Sequence, residues 1–166
     1  MIHPSATDIL KTIDATIAAK IEPSLSDLDG RSATATVRHL LRLVRVRIEE
    51  EGQILTDDIA ALRKLLPRIR DYLQPHEQAG RIDAALAEAG GDASRYPSLD
   101  RLADEAGVLR EAVYQALKQL QAMRGEREKD ADYRAIRSAI RDYIVWQNEQ
   151  ERKLIAPAFY GQGPRR

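Results

Sequence analysis

Three arginines, Arg38, Arg42 and Arg45, recur at four- and three-residue steps in the stretch "RHLLRLVRVRIEEEG". On a helix they share one side, where guanidinium groups can receive a carboxylate, a phosphate or an acidic protein surface through bidentate hydrogen bonds. Five arginines and no acid stand between Arg31 and Arg47, and Glu49, Glu50 and Glu51 follow directly. The other reading of this stripe is a solvated face balanced by acids on neighbouring helices. The remaining chemistry is sparse. His3, His39 and His76 stand in neither the Glu-x-x-His pattern of di-iron bundles nor the His-Glu-x-x-His pattern of zinc enzymes, so no metal is expected. There is no Gly-x-Ser-x-Gly elbow, no cysteine, no P-loop and no Gly-x-Gly-x-x-Gly fingerprint. No catalytic residue and no cofactor are expected from such a set, and an enzyme acting alone is disfavoured.

A second stretch, "LADEAGVLREAVYQAL" from Leu102 to Leu117, fits a helix-turn-helix template. Ala103 and Gly107 fill the small-residue and turn positions, and Leu102, Ala106, Val108, Val113 and Ala116 fill the apolar ones. The competing pattern is one unbroken helix. Leu99, Leu102, Ala106, Leu109, Val113, Ala116, Leu120 and Met123 alternate steps of three and four. The two readings disagree at adjacent positions: a DNA-reading motif buries Val108 and exposes Leu109, and a continuous helix does the reverse. Glu111 among the would-be DNA-facing residues, on a chain with 26 basic and 26 acidic residues, opposes the electrostatics of nucleic-acid binding. The single helix is the preferred reading.

These residues need a scaffold, and the totals say which. At 166 residues the chain is long enough for one domain with a genuine core. The absence of cysteine suits a reducing compartment, no secretory leader is recognisable in "MIHPSATDIL", and no apolar run is long enough for a membrane span; a cytoplasmic location is expected. Strand-type alternation is missing, so the fold expected is all-α: an antiparallel bundle of about five to six helices.

Ser5, with Asp8 three residues on, predicts the first helix start, with Ile9, Ile13, Ile17 and Ile21 as its stripe and Pro23 as its end. "PSLSDLDG" predicts a loop. A second helix is expected from about Ser32 to Glu51, stopped by Gly52, with inner residues Val37, Leu41, Val44 and Ile48. The pairs Arg45–Glu49 and Arg47–Glu51 stand one turn apart on it. Thr56, followed by Asp57 and Asp58, predicts the cap of a third helix, kinked at Pro67. A short helix over about Ile82 to Ala89 precedes the break "GGDASRYP", which would separate two layers, 1–75 and 98–153, of a single domain 1–166. A long helix is predicted from Ser98 to about Arg124, and a last one from about Lys129 to Lys153.

The tail 154–166 is apolar, then basic. Leu154, Ile155, Phe159 and Tyr160 are too apolar for a free terminus, and Pro157 opposes continuation of the helix. Packing in cis is one reading. Docking on a second subunit is the other, since aromatic residues are typical interface anchors.

The segments "HPSATDILKTIDATIAAKIEPSL", "RHLLRLVRVRIEEEG" and "LRKLLP" resemble the opening three helices of small bacterial helical proteins encoded beside aminoglycoside-phosphotransferase-like kinases and acyl-CoA dehydrogenases. The closing "RDYIVWQNEQERKLIAPAFYG" is similar in general shape. The resemblance implies a non-catalytic accessory subunit, a companion to a kinase acting on a hydroxyl in acyl-CoA or hydroxy-acid metabolism, and it carries over no functional residue. The expected partner is therefore another protein or a second copy. A DNA-binding regulator using 102–117 and a bundle binding a small anionic or acyl ligand at Arg38, Arg42 and Arg45 are the alternatives.

Overall fold

The computed structural model describes residues 4–74, 76–90 and 97–159, the last four of these by backbone alone. Among them the fold is all-α, with six α-helices and no strand. No helix among the described residues is long and apolar enough to cross a membrane.

Helix α1 (Ala6–Thr16) starts where expected. The Asp8 amide donates to Ser5 Oγ at 3.2 Å and the Ser5 amide donates to Asp8 Oδ2 at 3.3 Å, a reciprocal capping box. A π-helical turn (Ile17–Ile21) and a 3₁₀ turn (Glu22–Ser24) containing Pro23 then end the run.

The predicted second and third helices are one. Helix α2 runs without interruption over Leu28–Leu73, 46 residues. It begins ahead of Ser32 because Asp27 Oδ2 accepts the Gly30 amide at 2.7 Å and so caps the chain earlier. Gly52 does not stop it. A glycine inside a helix costs about 1 kcal/mol relative to alanine, less than is returned by burying Ile54, Leu55 and Ile59 in the turns that follow. Thr56 and Asp57, expected at a helix start, are therefore mid-helix and exposed, while Asp58 is turned inward. Pro67 removes the amide that would bond the Arg63 carbonyl, yet α2 continues past it to Leu73, held by the buried Leu65, Leu66, Ile69 and Leu73.

Helix α3 (Glu77–Glu88) starts a turn and a half before the predicted Ile82. Ser98 caps α4 (Leu99–Ala122) by accepting the Arg101 amide at 3.2 Å. A single turn, α5 (Arg124–Arg127), leads to α6 (Ala131–Phe159). Helix α6 extends past Pro157, which was expected to end it; the proline falls in the last turn, where few carbonyls lose a partner.

The chain divides into two compact units, one formed by Met1–Gly52 with Gln150–Arg166 and the other by Gln53–Glu149. The division falls inside α2 and α6, away from the break at 90–97, so each of these helices serves both units.

The second unit holds a continuous apolar core. Leu62, Leu66, Ile69 and Leu73 of α2, Ile82 of α3, Leu109, Ala116 and Leu120 of α4, and Ile140 of α6 are essentially inaccessible. The short link between α4 and α6 folds them back on one another, and Tyr133 Oη donates to the Leu120 carbonyl at 3.0 Å across that turn. Leu109 is fully buried and Val108 only partly so, and residues 102–117 form one bundle helix with no turn at Gly107. A Cβ added at Gly107 would meet nothing within 4 Å. Gly107→Ala is accordingly expected to stabilise the protein by about 0.5–1 kcal/mol. A thermal melt followed by helical circular dichroism checks this: an unchanged or lower midpoint contradicts it.

Candidate interaction surface

In the first unit the arginine stripe is already occupied. Arg38 Nε donates to Asp14 Oδ1 at 2.7 Å, and Arg38 Nη1 donates to Glu22 Oε2 at 2.7 Å. Arg42 Nε stands 3.6 Å from Asp14 Oδ2. Both arginines are thus turned toward α1 and the turn after it, pinning α1 to α2. Arg45 is half-buried and has no ion pair among the described residues; the expected Arg45–Glu49 pair is not formed, whereas Arg47–Glu51 is, at 2.9 Å. Arg38 and Arg42 therefore act as internal ties, and a free anion would compete with Asp14 and Glu22 for them.

The Asp14 carboxyl reports the strength of this tie. Partial burial pushes it up, but the hydrogen bond from Arg38 and the charges of Arg38 and Arg42 outweigh that, holding it below its ordinary value. A carboxylate depressed in the folded state contributes stability above its unfolded pKa, and that contribution is lost as pH falls through the folded value. Asp14→Asn is expected to remove this contribution at neutral pH and to flatten the loss of stability below about pH 4. Thermal melts from neutral to strongly acidic pH measure it; parallel acid limbs for the two proteins contradict the assignment.

Sequence reasoning missed a deeply buried carboxylate. Asp58 is 1 % exposed. Its Oδ2 accepts Arg110 Nε at 2.7 Å and its Oδ1 accepts Tyr143 Oη at 2.8 Å, so α2, α4 and α6 meet on one carboxylate. Burial, and then the hydrogen bond to Asp58, raises the Tyr143 phenol well above its ordinary value. The signal was present: Asp58 lies on the same three-four stripe as Leu55, Leu62 and Leu66, where an acid must find partners. Reading it as first-turn decoration of a helix starting at Thr56 concealed this. The Tyr143 ring also lies 6.3 Å from that of Trp146. Both line an open groove of about 600 Å³ with Lys64, Arg68, Ser138 and Asp142. No group of three or more His, Cys, Asp or Glu side chains among the described residues is placed to hold a metal.

The feature left uncompensated is apolar. Helix α1 has no buried residue at all. Ile9 and Ile13 on it, and Ile21 in the π turn, are between 41 and 47 % exposed. On the first half of α2, Val37, Leu40, Val44 and Ile48 are between 45 and 51 % exposed. Of the predicted stripes on these two elements, only Ile17 is buried, with Leu41 half-buried. The patterns that predicted core faces are present, but they stand exposed among the described residues.

No family model, curated protein or solved structure matches this chain. The reading of its function therefore rests on these surfaces. The tail contributes Leu154, which is buried, and Ile155, half of which is exposed. Phe159 is the last residue of α6, and Tyr160 lies outside the described residues.

Proposed function

We propose that this protein is a non-catalytic accessory subunit, a helical module that works by holding another polypeptide against the apolar faces of α1 and the first half of α2. The observation that carries the reading is the row of half-exposed aliphatic residues at helical spacing on both elements. Scattered surface leucines are ordinary, whereas exposed aliphatic residues repeating at helical spacing along each of two helices mark an interaction site. The internal pairing of Arg38 and Arg42 argues against an anion receptor at those positions, and the continuous α4 removes the turn that a helix-turn-helix requires. A phosphotransferase-like kinase, the companion implied by the sequence resemblance, is the first partner to look for.

Affinity capture from the native host with the full chain tests the proposal. Leu40→Glu/Val44→Glu changes residues that are about half exposed, so the protomer keeps its fold while the face becomes charged. Ile155→Glu does the same at the tail. Stoichiometric recovery of a kinase by the wild type, lost with Leu40→Glu/Val44→Glu, supports an accessory role through this face. Identical recoveries from the wild type and that variant contradict it, and loss only with Ile155→Glu moves the contact to the end of α6.

A further inference from the structure

We infer that the groove between α2 and α6 in the second unit binds a nucleotide-like ligand, a small phosphate monoester carrying a purine-type ring and free hydroxyls. The site is separate from the apolar faces of the first unit and does not depend on what they hold. Its walls are two rows at four-residue spacing, Lys64 and Arg68 on α2 and Ser138, Asp142 and Trp146 on α6. Between the rows, the partly buried Ala61 and Ala139 and the buried Leu65 give a low apolar floor.

Charge is the first argument. The other two basic residues in this half of α2 are satisfied within the chain: Arg63 pairs with Glu105 at 2.7 Å, and Arg70 with Asp71 at 2.8 Å and Asp83 at 3.1 Å. Lys64 and Arg68 enter no ion pair among the described residues, although Asp142 lines the same groove. Asp132 borders a separate hollow beyond Arg68 and pairs with neither. Arg141 Nη2 donates to Ser138 Oγ at 3.3 Å, which brings a further guanidinium to the α6 wall. Cations outnumber the one carboxylate of the groove, and the two on α2, one turn apart, can close on a single phosphate. The chain as a whole is neutral, which disfavours a long polyanion such as RNA.

Shape and chemistry are the second argument. The groove's volume, about 600 Å³, falls within the ~300–1,000 Å³ of small-molecule sites and exceeds what a bare anion fills. Trp146, partly buried beside Tyr143, lends it an aromatic surface on which a flat ring can stack. The ionised Asp142 only accepts hydrogen bonds, so the ligand must present donors beside it, as sugar hydroxyls do. A ring, hydroxyls and a phosphate in one small molecule answer to Trp146, Asp142 and the Lys64–Arg68 pair.

The chain has one tryptophan, so its fluorescence reports on this groove directly. Titrating the full chain with adenosine monophosphate is expected to quench Trp146 saturably, with a Kd on the order of 10–100 µM for a ligand of this size. Adenosine, which lacks the phosphate, and ribose 5-phosphate, which lacks the ring, are each expected to bind at least ~30-fold more weakly. Lys64→Ala/Arg68→Ala is expected to weaken adenosine monophosphate by a similar ~30-fold. Both side chains are exposed, so this variant keeps the wild-type helical circular dichroism. Calorimetry with Trp146→Ala measures the stacking share, a further loss of about tenfold. Inorganic phosphate binding as tightly as adenosine monophosphate overturns the nucleotide assignment and leaves a simple anion site. Unchanged binding by Lys64→Ala/Arg68→Ala, or no saturable quenching up to millimolar ligand, overturns the groove as the site.

Discussion

Asp58→Ala is expected to lower the unfolding free energy by about 3 kcal/mol, the range for removing one partner from a buried ionic network. The change removes a partner from two groups at once. Tyr143 Oη loses its acceptor in a buried site, and the Arg110 guanidinium loses the Asp58 carboxylate. Arg110 is about one-third exposed, so water recovers part of its loss and keeps the cost below the top of that range. Tyr143→Phe removes a single hydrogen bond and is expected to cost about 1–1.5 kcal/mol. Because both changes act on one carboxylate, they should not add: the double variant is expected to fall short of the sum by about 1 kcal/mol. Urea unfolding of the four proteins measures the cycle, and an Asp58→Ala variant within about 1 kcal/mol of wild type contradicts the role given to this junction.

Leu109→Ala is expected to cost a similar amount, about 3 kcal/mol, because a fully buried leucine leaves a cavity its neighbours only partly fill. Val108→Ala is expected to cost less than about 1 kcal/mol, since Val108 is only partly buried and alanine is the better helix former. The order of the two effects is the informative quantity. A helix-turn-helix over 102–117 would reverse it, because there Val108 is the packing residue and Leu109 faces outward. Equilibrium unfolding of the two single variants decides it, and a costlier Val108→Ala contradicts the continuous α4.

Much of the second unit was legible because its signals are periodic and local. The alternating three-four seam from Leu99 to Leu120 dictated α4, including the assignment of Leu109 over Val108, and Ser98 marked its start. On α6, Tyr133, Ile136, Ile140 and Tyr143 recur at three- and four-residue steps and are buried. Breaks between helices were harder. Gly52 and Thr56 have the residue types of a stop and a start, but in α2 the apolar period runs through them and burial on both sides outweighs the local preference. Pro157 was misjudged for a related reason: close to a helix end, proline disrupts little.

The first unit shows the opposite failure. Ile9, Ile13, Val37, Val44 and Ile48 were expected on inner faces and stand exposed, because periodicity marks an apolar face without specifying what packs on it. Arg38 and Arg42 could be placed on one side of a helix from spacing alone; that Asp14 and Glu22 meet them depends on how the chain turns through the π and 3₁₀ segments, which no simple period encodes. Asp58 was visible as an acid on an apolar stripe and lost only because the helix was cut in the wrong place. A boundary error of this kind converts a buried network into an apparent surface cap.

Amide hydrogen exchange of α1 tests the central claim most directly. In the full chain captured with its host partner, the amides of α1 and of the first half of α2 are expected to be protected, and in Leu40→Glu/Val44→Glu those of α1 are expected to exchange freely while the amides around Leu66 and Leu109 stay unchanged. Equal protection of α1 in the two proteins would mean that nothing rests on this face, and the interaction role proposed for it would fall.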